Sequence, residues 1–345
     1  MLGAIQQELI QRSDEFKNDV IETIYFGGGT PSLLTQQEIN QFLKVIQQNF
    51  NIVDFPEITL EANPDDLSET KILELANSKV NRLSIGVQSF FEEDLKMMNR
   101  AHNAIEAKTC LVEASKYFDN ITVDLIYGIP GLSEKRWQQN MDIVFGLGIN
   151  HISCYALTVE EKTALASFIK KKIYPPLDEE LALKHFNRLV LEAEDNGFVH
   201  YEISNFGKPN YFSRHNTSYW KGKRYLGVGP SAHSYYDDKR FWNVANNVKY
   251  IKCLENSESY CDMEILSIYD RFNESIMIGL RTIYGIDLQK IKKAFGQELC
   301  SYLLKQADVF IKDATLEVKS HILKTTQKGK FLADGIASQL FFIQD

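Results

Sequence analysis

A short apolar strand, a polar or glycine-rich turn, then an amphipathic helix: the first half of this chain repeats that order, and little else can be built from it. Strands are expected at Ile21–Phe26, Ile58–Ala62, Arg82–Val87, Ile121–Ile126 and His151–Ala156. Helical patterns fill the gaps at Thr35–Asn49, Leu67–Asn77, Phe91–Met98, Ala104–Tyr117 and Ser133–Leu147. Thr35 reads as an N-cap with Glu38 completing a capping box, and Ser68 as a second cap. Strand–helix alternation of this kind specifies parallel βα units. Short apolar strands are what a sheet covered on both faces requires.

The residues that follow each strand narrow the choice. GGGTP follows the first, EANPDD the second, QSF the third, IYGIPG the fourth and ALTVE the fifth. An open doubly wound sheet binds its ligand at one switch point. A βα barrel gathers every C-terminal strand end on one face. Polar signals at all five ends favour a barrel or partial barrel. The fold class is therefore α/β, with a smaller α+β domain behind it. Asp178–Asn196 reads as a further helix, and Phe198–Gly229 as an ordered aromatic, glycine-containing segment. Leu266–Leu280, Leu288–Phe295 and Glu298–Ile311 look helical, and the terminal stretch is compatible with a small sheet. The expected division is 1–200, 201–261 and 262–345.

The GGGTP turn is the strongest single signal. Three successive glycines cannot be a helix interior, and at a strand end they let a ligand reach bare peptide groups. A plain tight turn is the competing reading. Glu61, Asn63, Gln88, Arg100 and Asp124 lie at or near the other strand ends. Singly, each has an ordinary explanation as a cap, a backbone partner or a surface charge. Together they offer two carboxylates, amides, a guanidinium and bare backbone around one mouth. That set suits a zwitterionic, nucleoside-like ligand, with Arg100 on its carboxylate and the acids on an ammonium or ribose hydroxyls. A second constellation is Arg214 to Trp220 (RHNTSYW), followed by GVGPSAHS at 227–234. His215 among aromatic residues can be an axial heme ligand or a histidine bonded within an aromatic core. His102, His151, His185, His200 and His321 have no comparable context.

The 345 residues carry a net charge of −8, with 44% hydrophobic and 24% charged residues. That balance gives no nucleic-acid footprint, and Lys170–Lys172 reads as a solvated helix end. The sequence shows neither a membrane span nor a signal peptide, so a cytoplasmic setting is expected, with its thiols reduced. The five cysteines, Cys110, Cys154, Cys253, Cys261 and Cys300, are not at ligand spacing.

TIYFGGGTPSLL, TLEANPDDL, RLSIGVQSF, MNRAH, VDLIYGIPG, ISCYALTVEE, RHNTSYW and YLGVGPSAHSY occur in an order that resembles the radical S-adenosylmethionine family of oxygen-independent coproporphyrinogen III oxidase-like proteins. The likeness spans nearly the whole chain and is closer to the HemW branch of heme chaperones. HNxxY, here His215, Asn216 and Tyr219, marks that branch. The resemblance implies a six-unit partial βα barrel with a C-terminal extension. It implies S-adenosylmethionine contacts at Gly28, Gly29, Thr30, Glu61, Gln88, Arg100 and Asp124, with Ala156 a weaker match. It implies heme at the HNxxY motif, with His215 near the iron.

The family's CxxxCxxC motif, whose thiolates hold a 4Fe–4S cluster, does not occur in this sequence. Ala4–Phe16 reads as the helix that follows the cluster loop, so the expectation is a barrel lacking its first strand. One thiol such as Cys154 cannot hold a cubane, and no deoxyadenosyl radical is expected from this chain alone. The resemblance leaves two functions. One is a chaperone that binds heme and passes it to an acceptor, including a membrane-protein acceptor, as a monomer or dimer. The alternative is oxidative decarboxylation of coproporphyrinogen, inactive without the cysteines.

Overall fold

The computed structural model describes residues 1–344. They form two compact units. One holds Met1–Ile21, Phe42–Asp54 and the chain from Arg214 onward; the other holds Glu22–Gln41 and Phe55–Ser213.

The second unit is built on a seven-stranded half-barrel sheet. Its strands are β1 (Val20–Phe26), β2 (Asn51–Ala62), β3 (Arg82–Gln88), β4 (Ile121–Tyr127), β5 (His151–Ala156), β6 (Val199–Glu202) and β7 (Asn205–Gly207). Their order is β1-β2-β3-β4-β5-β7-β6. The pairs β2/β3, β3/β4 and β4/β5 are parallel, while β7 joins β5 and β6 antiparallel. The connecting helices are α2 (Gln36–Asn49), α3 (Glu69–Ala76), α4 (Glu92–Met97), α5 (Ala104–Ala114), α6 (Glu134–Gly146), α7 (Ala164–Lys170) and α8 (Glu179–Asp195). Local chemistry fixes their starts. Thr35 and Glu38 exchange backbone bonds at 2.8 and 3.2 Å, and the Ser68 hydroxyl accepts from the Lys71 amide.

Strand alternation sorts the two faces of this sheet. Leu83, Ile85, Val87, Val123, Leu125, Ile152 and Cys154 are buried on the helix side. The opposite side is polar, not apolar as short hydrophobic strands lead one to expect. It carries Tyr25, Glu61, Ser84, Asp124 and Ser153, with Glu61 beside Ser84 and Asp124 beside Ser153 in register. Beneath them a buried polar row crosses the strands. Arg82 donates to the Thr122 hydroxyl, which lies 2.9 Å from Nδ1 of His151, and Nε2 of His151 lies 2.7 Å from the Tyr201 hydroxyl. Burial and the charge of Arg82 hold His151 neutral.

The other unit contains α1 (Leu2–Gln11), α9 (Arg214–Trp220), α10 (Asn247–Glu255), and the sheet of β8 (His233–Tyr236), β9 (Lys239–Asn243) and β10 (Cys261–Ile265). Glu8 of α1 is fully buried and binds four donors: the Gly229 amide at 2.8 Å, Asn243 Nδ2 at 2.7 Å, the Tyr250 hydroxyl at 2.5 Å and Arg12 at 3.3 Å. The chain ends with α11 (Ile268–Arg281), β11 (Ile286–Asp287), α12 (Leu288–Lys312), β12 (Leu316–Lys319), β13 (Ile322–Thr325), α13 (Gln327–Lys330) and α14 (Ala333–Leu340). Phe272, Ile276, Leu280, Leu303 and Leu340 centre its core. Helix α12 is two segments meeting at Gly296, whose φ of 89° interrupts the ladder.

Several elements depart from the sequence expectation. Strand β2 begins at Asn51, well before Ile58. Its early half has no apolar alternation, and Phe55 is 86% exposed. The segment 198–229 contains β6, β7 and α9, pieces too short for periodicity to reveal. No helix among the described residues is long and apolar enough to cross a membrane.

Candidate functional site

The turn after β1 is shaped for close approach. Gly28 and Gly29 have φ of 67° and 65°, and a Cβ on either would meet nothing within 4 Å. The two positions therefore leave an open cradle of peptide groups at the strand end. Gly27 is packed, since a Cβ there would sit 2.7 Å from the Tyr25 ring and 3.2 Å from Cδ of Glu61. Thr30 follows and leads into a short 3-10 turn that Pro31 starts.

Glu61 is fixed from two directions. The Tyr25 hydroxyl donates to one carboxylate oxygen at 2.7 Å, and the Gly28 amide donates to the other at 3.2 Å. Burial and the Glu61 charge push the Tyr25 phenol well above its ordinary value, so it stays a donor. Asp124, a half-buried residue of β4, receives the Ser84 hydroxyl at 3.4 Å. Burial raises its carboxyl to about 7; Glu61 pushes the same way, while Ser153, Arg82 and Ser84 oppose. Two acids share this face in unequal environments, and Asp124 titrates near neutrality.

Gln88 ends β3 in the left-handed region, with φ of 68°, where the β3/β4 register shifts. A residue other than glycine there is strained, and the bulge re-aims its side chain. A Cβ on Gly86 would lie 2.9 Å from the Gln88 amide nitrogen, so glycine at 86 makes room for that side chain. Arg100 follows α4 through a Schellman turn. Asn99 takes φ of 53°, its amide donates to Lys96 O at 3.1 Å, and the Arg100 amide donates to Leu95 O at 2.9 Å. The charges acting on its guanidinium are Asp124 and Asp65. Buried His102 anchors the same loop, with Nε2 3.0 Å from Val87 O. Ala156 pairs with Tyr127 at the end of β5.

The half-barrel thus gathers Gly28, Gly29, Thr30, Glu61, Gln88 and Ala156 at C-terminal strand ends of one sheet, with Asp124 mid-strand on β4 and Arg100 on the loop after α4. Sequence reasoning missed Tyr25, Ser84 and Ser153. Strand alternation counted from Glu61 and Asp124 was the signal available for them.

His215, Asn216 and Tyr219 lie on α9 in the other unit. One helical turn sets Nε2 of His215 3.1 Å from the Tyr219 hydroxyl, with the rings edge to face at 5.0 Å. Tyr219 meets Tyr225 at 4.6 Å, and Tyr225 bridges in backbone and ring to Tyr235. Burial, helped by Tyr225, pushes the Tyr219 phenol up to about 12.

Comparison with known proteins assigns the class. Residues 5–144 match the radical SAM superfamily and residues 266–332 the HemN C-terminal domain. The coproporphyrinogen III oxidase HemN of Escherichia coli superposes with a TM-score of 0.84 over 99% of this chain and 82% of that one, at 22% identity, which establishes the fold. The chain is a radical SAM half-barrel joined to a HemN-type C-terminal domain. Heme chaperone HemW of Lactococcus lactis is 30% identical over 345 residues, covering 100% of this chain and 90% of the relative. Heme chaperone HemW of Bacillus subtilis is 30% identical over 340 residues, covering 97% and 89%. This protein belongs to the HemW family.

Radical SAM proteins as a class use S-adenosylmethionine and a 4Fe–4S cluster. The open glycine cradle and the paired acids fit the first. For the cluster the residues of this sequence do not fit. No group of three His, Cys, Asp or Glu among the described residues could hold a metal ion. Cys110, Cys154, Cys253 and Cys300 are buried, apart from one another in sequence, on α5, β5, α10 and α12, and Cys261 is half-buried on β10.

Proposed function

We propose that this chain is a heme-binding chaperone that passes heme to an acceptor protein, and that its half-barrel holds S-adenosylmethionine. The supporting observation is the α9 arrangement, in which His215 and Tyr219 of HNxxY share one helix face and continue into the Tyr225–Tyr235 aromatic ladder. A planar, hydrophobic tetrapyrrole with an iron at its centre needs an imidazole and aromatic surface, and this segment offers both. His215, Asn216 and Tyr219 are its proposed heme motif.

In the half-barrel, the backbone of Gly28, Gly29 and Thr30 would take the amino acid end of the nucleoside, with Arg100 on its carboxylate. Glu61, held by Tyr25 and the Gly28 amide, would accept from the ammonium. Gln88 and Asp124 would bind the ribose and Ala156 the base edge. S-adenosylmethionine would supply an adenosyl group and a sulfonium there. The division of labour proposed is adenosyl binding in 1–200, heme in 201–261 and a C-terminal domain in 262–345.

Titration of the full chain with ferric heme is the test. A shifted Soret band that saturates in the wild type and weakens in His215→Ala is expected. No band in the wild type, or an unchanged band and affinity in His215→Ala, would overturn the motif's assignment.

A further inference from the structure

The sheet of β8, β9 and β10 ends in an open edge. Strand β10 pairs antiparallel with β9 and has no strand on its other side among the described residues. Two bonds fix the phase of that ladder. The Val244 amide donates to Tyr260 O at 2.9 Å, and the Leu266 amide donates to Asp238 O at 2.9 Å. The peptide groups of Asp262 and Glu264 therefore face β9, and those of Met263 and Ile265 point outward. None of the described residues bonds those outward groups.

The side chains of β10 are as open as its backbone. Met263 continues the row of Ser234 and Phe241, and Ile265 that of Tyr236 and Lys239. Ser234 and Tyr236 are buried, and Tyr236 stacks on Phe241 at 4.5 Å. That cover stops before the edge, where Met263 is 54% and Ile265 69% exposed. The opposite face of β10 is acidic. Asp262 continues the row of His233 and Trp242, and Glu264 that of Tyr235 and Arg240. Arg240 meets Glu264 from the inner side at 2.9 Å, and Asp262 has no ion pair among the described residues. A bare edge beside exposed apolar side chains is a template for another strand.

The two acids decide which strand fits. In antiparallel self-pairing the outward residues Cys261, Met263 and Ile265 must face one another. Asp262 then meets Glu264, or Asp262 meets Asp262, or Glu264 meets Glu264. Each register sets like charges directly opposite, which is destabilising and disfavours a second copy as the occupant. A strand with apolar residues against Met263 and Ile265 and basic residues against Asp262 and Glu264 satisfies both faces. We infer that the β10 edge takes up an extended segment of a partner protein in which apolar and basic residues alternate, as a fourth strand of this sheet. The partner's role rests on the chaperone reading, under which it is the acceptor that receives heme.

The test uses the full chain without heme and two labelled, end-capped peptides, Lys-Val-Lys-Val-Lys-Val-Lys and Glu-Val-Glu-Val-Glu-Val-Glu, read by fluorescence anisotropy and amide hydrogen exchange. The lysine peptide is expected to bind and to slow exchange at Met263 and Ile265, and the glutamate peptide to bind about tenfold or more weakly. A lysine peptide N-methylated on alternate amides, which cannot donate to the edge, should not bind. Met263→Pro removes an outward N–H and no bond to β9, so it should keep the fold and lose about tenfold or more in affinity for the lysine peptide. Failure of the lysine peptide to bind, or equal binding of its N-methylated form, overturns the edge site. Self-association of the wild type that protects the same amides without peptide overturns the choice of partner. Ferric heme titration reads the chaperone function separately. A chain that binds the lysine peptide and shows no heme spectrum overturns the heme reading and leaves the edge site standing.

Discussion

The Tyr25 hydroxyl lies 2.7 Å from Oε1 of Glu61, the next strand over, while the Gly28 amide holds the other oxygen at 3.2 Å. The strand that ends in three glycines thereby fixes the acid that faces them. Tyr25→Phe should lower stability by about 1–2 kcal/mol, because it removes a hydrogen bond to a charged group. It should also weaken S-adenosylmethionine binding in calorimetry. Unchanged melting and unchanged affinity would show that the contact does not position Glu61.

Asp124 gives a pH signature whose sign follows from its raised carboxyl. The native state holds the proton up to about 7, whereas an unfolded aspartate releases it near 4. Between those values the native state binds more protons, so stability falls as pH rises and levels off above 7. Asp124→Asn removes that loss. It should melt like the wild type near pH 4 and be more stable at pH 8, by up to about 4 kcal/mol. Thermal melts across that range check it, and a variant less stable than wild type at pH 8 contradicts it.

The backbone at Gln88 makes a different prediction. Alanine there keeps the positive φ and loses the amide, whereas glycine removes the steric conflict. Gln88→Gly should therefore be more stable than Gln88→Ala by about 1 kcal/mol, while both lose nucleoside affinity. The reverse stability order in urea unfolding would deny that strain is stored at this bulge.

Glu8 is buried with four donors converging on it. Glu8→Ala leaves the Tyr250 hydroxyl and the Gly229 amide without their acceptor, while Arg12 keeps Glu15 and Asn243 keeps the Gly229 carbonyl. The expected cost is about 2–4 kcal/mol, read as a lower urea midpoint, with Glu8→Gln losing less. Equal midpoints for wild type and Glu8→Ala would contradict it.

How far the sequence could be read depended on range. The strands ending in GGGTP, EANPDD and IYGIPG were legible, as were the capped starts of α2 and α3, because those signals lie within a few residues. His215 and Tyr219 were legible as members of HNxxY, but not as neighbours on one helix face, because α9 is too short for periodicity to show. The Tyr25–Glu61 bond was not, since it joins positions 36 apart on different strands. The β8–β10 sheet escaped for the same reason. Its strands are four or five residues long, and nothing local states that His233 faces Trp242.

Local sequence, through alternation, capping and glycine, determined that this chain makes parallel βα units and which strand ends carry polar and glycine-rich turns. Tertiary structure alone decided the states and partners of those groups. Examples are the Asp124 carboxyl lifted toward neutrality, the left-handed Gln88 and the Glu8 cluster assembled from four segments. A pKa or a backbone strain is set by burial and by charges brought near in space, and chain order does not encode either until the sheet has closed around them.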